Sequence, residues 1–177
     1  MKSLRDLFLR LPHDGKARQI LRSFNLGMMR PGKVQSVKEL AEALGIDVHQ
    51  VDLPARMGGR LVSDPFTESG YAIEVNRAHS VVSRRFTVLH EIGHFLLHVN
   101  HKDPLFDGLN LNRGDDEFYF ELSQEQEANA VADVLLFGDG ALEAASSLHG
   151  GDRVKLAKYF GVSVAMIEVA MKKFGVK

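Results

Sequence analysis

The chain has 177 residues, of which 45% are hydrophobic and 25% are charged, and its formal net charge is −1 at pH 7. This composition is that of an ordinary globular protein and gives no global electrostatic case for nucleic-acid binding. The absence of cysteine excludes disulfides and thiolate metal sites. We find no secretory leader and no apolar run of the roughly 20 residues that a membrane span needs, so we expect a cytoplasmic protein.

The N-terminal region begins with helices. Apolar residues recur at helical spacing over residues 3–11 and 15–26, which predicts two amphipathic helices. Ser36 and Glu39 then form the pattern of a capping box, in which each side chain bonds to the other residue's backbone. The helix that begins there is expected to end at Gly45.

Three short strands are predicted next, because the apolar period changes from helical to alternating between residues 48 and 76. The runs cover residues 48–53, 59–62 and 71–76, and glycine or proline separates them. Strands joined by such short turns favour a small antiparallel sheet. An exposed edge of that sheet would accept an extended peptide as an added strand.

The following helix carries the chemistry. Within an apolar run over residues 84–98, the residues His90, Glu91 and His94 form a His-Glu-x-x-His pattern. Residues four apart share one helical face, so both imidazoles can point at one metal ion while Glu91 reaches a water molecule on it. Imidazole and carboxylate suit zinc, which predicts a catalytic zinc site with Glu91 as general base. Gly93 would let a strand or a substrate approach this helix closely.

A third metal ligand is expected from another element. The helix predicted over residues 123–137 offers Glu125 and Glu127, which differ by about 200° around the helix, so that both cannot face the metal. Glu125 shares its face with small residues that would let two helices approach each other. Asn129, one turn further on, would be able to hydrogen-bond a ligand histidine. We therefore predict Glu125 as the third ligand, with Glu127 as the alternative.

Two histidines compete for that third position. His98 lies eight residues after His90, about 12 Å along the helix and too far to share one ion, so we expect it to close the helix instead. His101 follows in a polar stretch that is predicted as a loop over residues 101–121. A motif with its third histidine six residues after the second would require histidine in place of Asn100, which excludes that class.

Three further helices are predicted after the one over residues 123–137. They cover residues 140–148, 152–160 and 163–174, and the last two resemble a helix-turn-helix. A DNA reader needs polar and basic residues on the second helix of that motif, whereas this one is mostly apolar. We therefore expect a packing or protein-contact surface there and no DNA binding.

These elements predict a mainly helical α+β fold, in which a small antiparallel three-stranded sheet lies beside the His-Glu-x-x-His helix. No repeat, low-complexity segment or clear linker interrupts the chain, so we expect a single domain over residues 1–177. Within it, residues 1–30 would form N-terminal helices, residues 31–137 the catalytic core, and residues 138–177 a helical subdomain.

The chain resembles the ImmA/IrrE family of metallopeptidases in three stretches, which are residues 71–76, 84–98 and 125–132. The resemblance is good over about residues 30–137 and looser over the C-terminal helices. It implies a fold similar to that of gluzincin peptidases, with a small sheet beside the metal helix. The site residues that it implies are zinc ligands at His90, His94 and Glu125, and a catalytic base at Glu91.

The resemblance also implies a function, namely a zinc-dependent endopeptidase that cleaves a helix-turn-helix repressor and so derepresses stress, phage or mobile-element genes. Four residues are candidates for stabilising the oxyanion, and the sequence does not choose among Tyr71, His79, Arg85 and Tyr119. The alternative function is a non-cleaving, zinc-bound regulatory or binding protein that contacts a repressor or DNA. No membrane partner is expected, and the sequence sets no oligomeric state.

Overall fold

The structure is a computed structural model that describes residues 1–11, 15–27, 35–99 and 122–177. The predicted loop over residues 101–121 lies outside these ranges. The helices are α1 (Leu4–Arg10), α2 (Gly15–Gly27), α3 (Val37–Ala43), α4 (Val81–Leu97), α5 (Leu122–Phe137), α6 (Ala141–His149), α7 (Arg153–Phe160) and α8 (Val164–Phe174). The strands are β1 (Asp47–Val51), β2 (Gly59–Ser63) and β3 (Tyr71–Asn76). The predicted mainly helical α+β class is confirmed.

The sheet has the strand order β1-β3-β2, with β3 in the centre. β2 and β3 pair antiparallel, as predicted, with Leu61 opposite Ile73. β1 pairs parallel with β3, with Val48 opposite Ile73, so the prediction of a wholly antiparallel sheet was wrong. The reason is topological. β1 and β2 run in opposite directions, but β3 inserts between them and returns from β2, so it runs the same way as β1.

The described residues form two compact units. One covers residues 37–129 and contains the sheet, α3, α4 and the beginning of α5; the other covers residues 1–36 and 130–177. The prediction of a single domain stays a prediction. No helix in the described part of the chain is long and apolar enough to cross a membrane.

The unit that contains the sheet is built around β3 and α4. Every residue of β3 except Glu74 is buried, and so is most of the second half of α4; Ile73 and Leu89 are fully buried. The ring of Tyr71 on β3 packs edge-on against Phe95 on α4, with the ring centroids 5.8 Å apart. This aromatic contact and the burial around it fix α4 against the sheet, which places both histidines of the motif relative to β2.

The other unit is helical. Its core includes Phe137, whose ring packs edge-on against Phe160 at a centroid distance of 5.0 Å and against Phe174 at 6.3 Å. Lys173 and Asp133 form a part-buried ion pair of 2.6 Å. The two helices that the sequence predicted near the C-terminus are present as α7 and α8, and α8 buries Ile167, Ala170 and Met171.

One amide side chain organises the segment between β1 and β2. Asn76, which is 1% exposed, directs its Nδ2 atom at the carbonyl oxygens of Leu53, Pro54 and Met57, at 3.1, 3.1 and 2.9 Å. Its Oδ1 atom accepts a hydrogen bond from the backbone N–H of Ala78 at 3.0 Å. Because these bonds tie a buried side chain of β3 to three carbonyl groups of the segment, Asn76 fixes the path by which the chain enters β2.

Replacing Asn76 with Asp is expected to destabilise the fold by about 3 kcal/mol, because a carboxylate cannot donate and would face three carbonyl oxygens in the interior. Urea unfolding followed by circular dichroism measures the effect. The matched control is Asp47→Asn, the reverse exchange at an exposed residue of β1, which should change stability by less than about 0.5 kcal/mol. Equal stability of Asn76→Asp and the wild type would contradict this role for the side chain.

Candidate metal centre

Two histidines of α4 converge on one point. The Nε2 atoms of His90 and His94, one turn apart, are 3.0 Å from each other. His94 is 1% exposed, so its imidazole is held almost entirely inside the protein. Burial, together with the neighbouring imidazoles of His90 and His98, lowers the pKa of His94 to about 3. His94 is therefore neutral near pH 7, which is the form that binds a metal.

The third group comes from α5. One carboxylate oxygen of Glu125 lies 3.2 Å from His90 Nε2, and the other lies 3.2 Å from His94 Nε2. Within the described ranges, His90, His94 and Glu125 form the one group of three or more histidine and acidic residues that could hold a metal ion. The separations match the edges of a tetrahedron, about 3.3 Å, around an ion bound at about 2.0 Å. The donor set therefore fits zinc.

Asn129 fixes the orientation of the first histidine. Its Oδ1 atom lies 3.1 Å from His90 Nδ1, as predicted for a residue one turn beyond Glu125. An amide oxygen can only accept, so the ring hydrogen of His90 lies on Nδ1. The Nε2 lone pair of His90 then faces the other two donors, which is the arrangement that a metal requires.

The alternative ligand, Glu127, lies elsewhere. Its Oε2 atom is 3.0 Å from His98 Nε2, and it is not a member of the converging group. His98 is the C-cap residue of α4 and donates its backbone N–H to the carbonyl oxygen of His94, so it closes the helix as expected. Sequence reasoning missed the contact between His98 and Glu127. The sequence did signal that His98 would lie beside His94, since they are four residues apart on one helix, but it gave no signal for a partner on α5.

Glu91, the expected base, is buried beside these donors at 6% exposure. Burial, reinforced by the negative charge of Glu125, raises the pKa of Glu91 to about 8. A hydrogen bond from the backbone N–H of Leu61 on β2 acts in the opposite direction. Because that N–H reaches Glu91, the carboxylate lies against β2, a strand with one sheet partner among the described residues.

α4 and α5 approach each other closely at Gly93. A Cβ atom at this position would lie 2.8 Å from both the Cα atom and the carbonyl oxygen of Ala128. The close approach is therefore made by a helix, α5, and not by the strand or substrate that the sequence predicted. Since Gly93 directly precedes His94, and Ala128 is one turn from Glu125, the missing side chain is what allows the donors of the two helices to meet.

The described candidates for stabilising an oxyanion are engaged in other contacts. Tyr71 is fully buried and packs on Phe95. The His79 Nε2 atom lies 2.9 Å from the carbonyl oxygen of Ala55. Burial lowers the pKa of Arg85 to about 10, and Arg85 is about two and a half turns from His94, on the opposite face of α4. The fourth candidate, Tyr119, lies outside the described residues.

This site has the parts of a metallopeptidase, which are two histidines and a carboxylate around one point with a buried carboxyl group beside them. The family model Peptidase_M78, described as the IrrE N-terminal-like domain, matches residues 41–172, about three quarters of the chain. The chain therefore belongs to the ImmA/IrrE family of metallopeptidases. No curated protein matches it.

Replacing Glu91 with Gln is expected to make the metal-free protein progressively more stable than the wild type as the pH rises from about 5 to 8. The folded wild type keeps a proton on Glu91 until its raised pKa near 8, whereas the unfolded chain releases that proton near pH 4.5. The contribution of this proton to the free energy of unfolding is fully present at low pH and is lost as the pH rises through 8. The loss is at most about 1.4 kcal/mol per pH unit.

Urea unfolding of the metal-free wild type and of Glu91→Gln at pH 5, 6.5, 8 and 9 tests this linkage. The difference in unfolding free energy should grow between the first three points and level off at the last. Glu143→Gln, at an exposed residue of α6, is the control and should differ from the wild type by a constant amount. A constant difference for Glu91→Gln as well would show that Glu91 ionises normally.

Replacing Gly93 with Ala is expected to destabilise the protein by about 1–3 kcal/mol and to weaken zinc binding at least about tenfold. The added methyl group would force α4 and α5 apart, which overpacks the contact and separates the donors. Gly15→Ala is the control, because a Cβ atom there meets nothing within 4 Å. Urea unfolding and zinc titration against a chelator measure both effects, and wild-type values for Gly93→Ala would contradict the role of the contact.

Proposed function

We propose that this chain is a zinc-dependent endopeptidase whose substrate is a helix-turn-helix transcriptional repressor, and that cleavage derepresses stress, phage or mobile-element genes. The observation that carries the hydrolytic part is the convergence of His90, His94 and Glu125 on one point with the buried carboxyl group of Glu91 beside it. Membership of a peptidase family supports the same reading. The choice of a repressor rests on the resemblance to ImmA/IrrE peptidases, and it implies a cytoplasmic location.

His90, His94 and Glu125 would hold the zinc ion. Two imidazoles and one carboxylate would leave a fourth position for water, as in catalytic rather than structural zinc sites. A zinc ion bound there supplies a Lewis acid that activates water and polarises a peptide carbonyl. The Nδ1 contact between His90 and Asn129 keeps one ligand ring turned towards the ion.

Glu91 would move the proton. Its carboxylate takes a proton from the attacking water and later delivers it to the nitrogen of the leaving amine. A base performs both steps best when its pKa is close to the working pH. Burial raises the pKa of Glu91 in the metal-free protein, and the positive charge of a zinc ion held by the three donors would lower it again, which would favour the carboxylate that accepts the proton. The hydrogen bond from the backbone of Leu61 holds the carboxylate in place between the two transfers.

The substrate would bind along β2. β2 has β3 as its one partner in the described sheet, and the N–H of Leu61 brings this strand against the Glu91 carboxylate. An extended peptide can add to such an edge through backbone hydrogen bonds, which gives affinity with little dependence on sequence. Arg60 and Glu74, paired at 2.6 Å across β2 and β3, stiffen the strand that the peptide would join.

Co-expression of each helix-turn-helix repressor of the source genome with the wild type is expected to yield fragments of at least one of them. Glu91→Gln should lower that cleavage by about 100-fold or more and leave the zinc content unchanged, because Glu91 transfers protons and binds no metal. Gel analysis and mass spectrometry identify the fragments, and elemental analysis gives the zinc content. Glu143→Gln again serves as the exchange at an exposed site.

Two results would contradict the proposal. Cleavage by Glu91→Gln at the wild-type rate would remove Glu91 from the mechanism. A wild-type protein with about one zinc per chain that binds a repressor but leaves every repressor intact would favour the non-cleaving regulator instead.

A further inference from the structure

His98 contacts the donor set through His94, and Glu127 contacts His98, but neither has a part in the reaction proposed above. The Nδ1 atoms of His94 and His98 are 3.0 Å apart, and the Nε2 atom of His98 is 3.0 Å from a carboxylate oxygen of Glu127. The side chain of His98 is 5% exposed and that of Glu127 is 34% exposed. A continuous row of contacts therefore runs from a part-exposed carboxylate through two buried imidazoles to the point where the donors converge.

The number of ring hydrogens determines which atom donates and which accepts in each of these contacts. An ionised carboxylate can only accept, so the hydrogen in the outer contact lies on His98 Nε2. A neutral imidazole carries one ring hydrogen, so His98 Nδ1 is an acceptor and His94 Nδ1 must donate to it. The Nε2 atom of His94 is then left with its lone pair towards His90 and Glu125, in the tautomer that a metal ligand needs.

Both ligand histidines have their ring hydrogens set by acceptors on α5. Asn129 accepts the Nδ1 hydrogen of His90 directly, at 3.1 Å. His94 lies about 6 Å further along α4, and the row through His98 spans the additional distance to Glu127. α5 therefore offers one candidate metal ligand, Glu125, and two hydrogen-bond acceptors. Asn129 sets the hydrogen of His90 directly, and Glu127 sets that of His94 through His98.

We propose that His98 and Glu127 are positioning residues, which hold His94 with its Nε2 lone pair aimed at the metal and strengthen it as a donor. This inference rests on the proposed function, because it assumes that His94 binds zinc. The carboxylate acts through His98 by drawing the ring hydrogens towards itself, which increases electron density at His94 Nε2. Outer partners of this kind typically change metal affinity by about 10- to 100-fold.

Zinc affinity, measured by competition with a chromophoric chelator, tests the proposal. Glu127→Ala should lower the affinity by about 10- to 100-fold. Glu127→Gln should lower it less, since an amide oxygen still accepts from His98 but carries no charge. Gln126→Ala, at an exposed neighbour on α5, should bind as the wild type does. Glu125→Ala removes a proposed ligand and should lose more affinity than either Glu127 variant.

The positions of the ring hydrogens provide a second measurement. A contact that only supported the fold would not set the tautomers of His94 and His98. Long-range 1H–15N spectra of the imidazoles, recorded before and after zinc addition, should show the His98 hydrogen on Nε2 and the His94 hydrogen on Nδ1. Glu127→Ala should convert His98 to a mixture of tautomers. If that variant fails to fold, the wild-type spectra and the affinity of Glu127→Gln decide the question.

The outcomes separate this inference from the proposed function. A wild type that binds zinc, with Glu127→Ala and Glu127→Gln binding it equally well, would overturn the positioning role and leave the zinc site standing. A hydrogen on His98 Nδ1 in the wild type would overturn it as well. A wild type that binds no zinc would instead remove the proposed function, and with it the basis of this inference.

Discussion

The site depends on the close approach of two helices that are far apart in the sequence. Gly93 on α4 meets the backbone of Ala128 on α5, where a Cβ atom would lie 2.8 Å from two backbone atoms. Without that contact, the carboxylate of Glu125 would not reach the histidines. Metal donors must be positioned to within a fraction of an ångström. A contact between the backbones of two helices gives this accuracy because backbone atoms in a helix cannot change rotamer as side chains do.

Burial has opposite effects on the two titratable groups inside the site. It lowers the pKa of His94, which keeps that ring neutral and able to bind a metal, and it raises the pKa of Glu91, which makes the carboxyl group a stronger base. Both groups are stable in the interior because their polar atoms are bonded: His94 to His98, and Glu91 to the backbone of Leu61. The apolar surroundings are therefore part of the chemistry and not only of the core.

Much of the fold follows from local sequence signals. The helical period over residues 84–98 and the alternation over residues 71–76 predicted α4 and β3, since both patterns report the face that a single element buries. The parallel pairing of β1 with β3 could not be predicted this way. Strand partners are set by contacts between distant residues, and the side-chain pattern of β1 is the same for either direction of its neighbour.

The sequence by itself determined the candidate donor pair on α4, because His90 and His94 are four residues apart and helical geometry alone puts them on one face. Only the tertiary structure decided which carboxylate joins them. Glu125 and Glu127 have the same chemistry and lie on the same helix, so the choice depends on how α5 is rotated against α4. That rotation brings Glu125 to the histidine donors and Glu127 to His98. The small residues on the face of Glu125 favoured it in the sequence, but the rotation itself is set by packing between residues more than 30 positions apart.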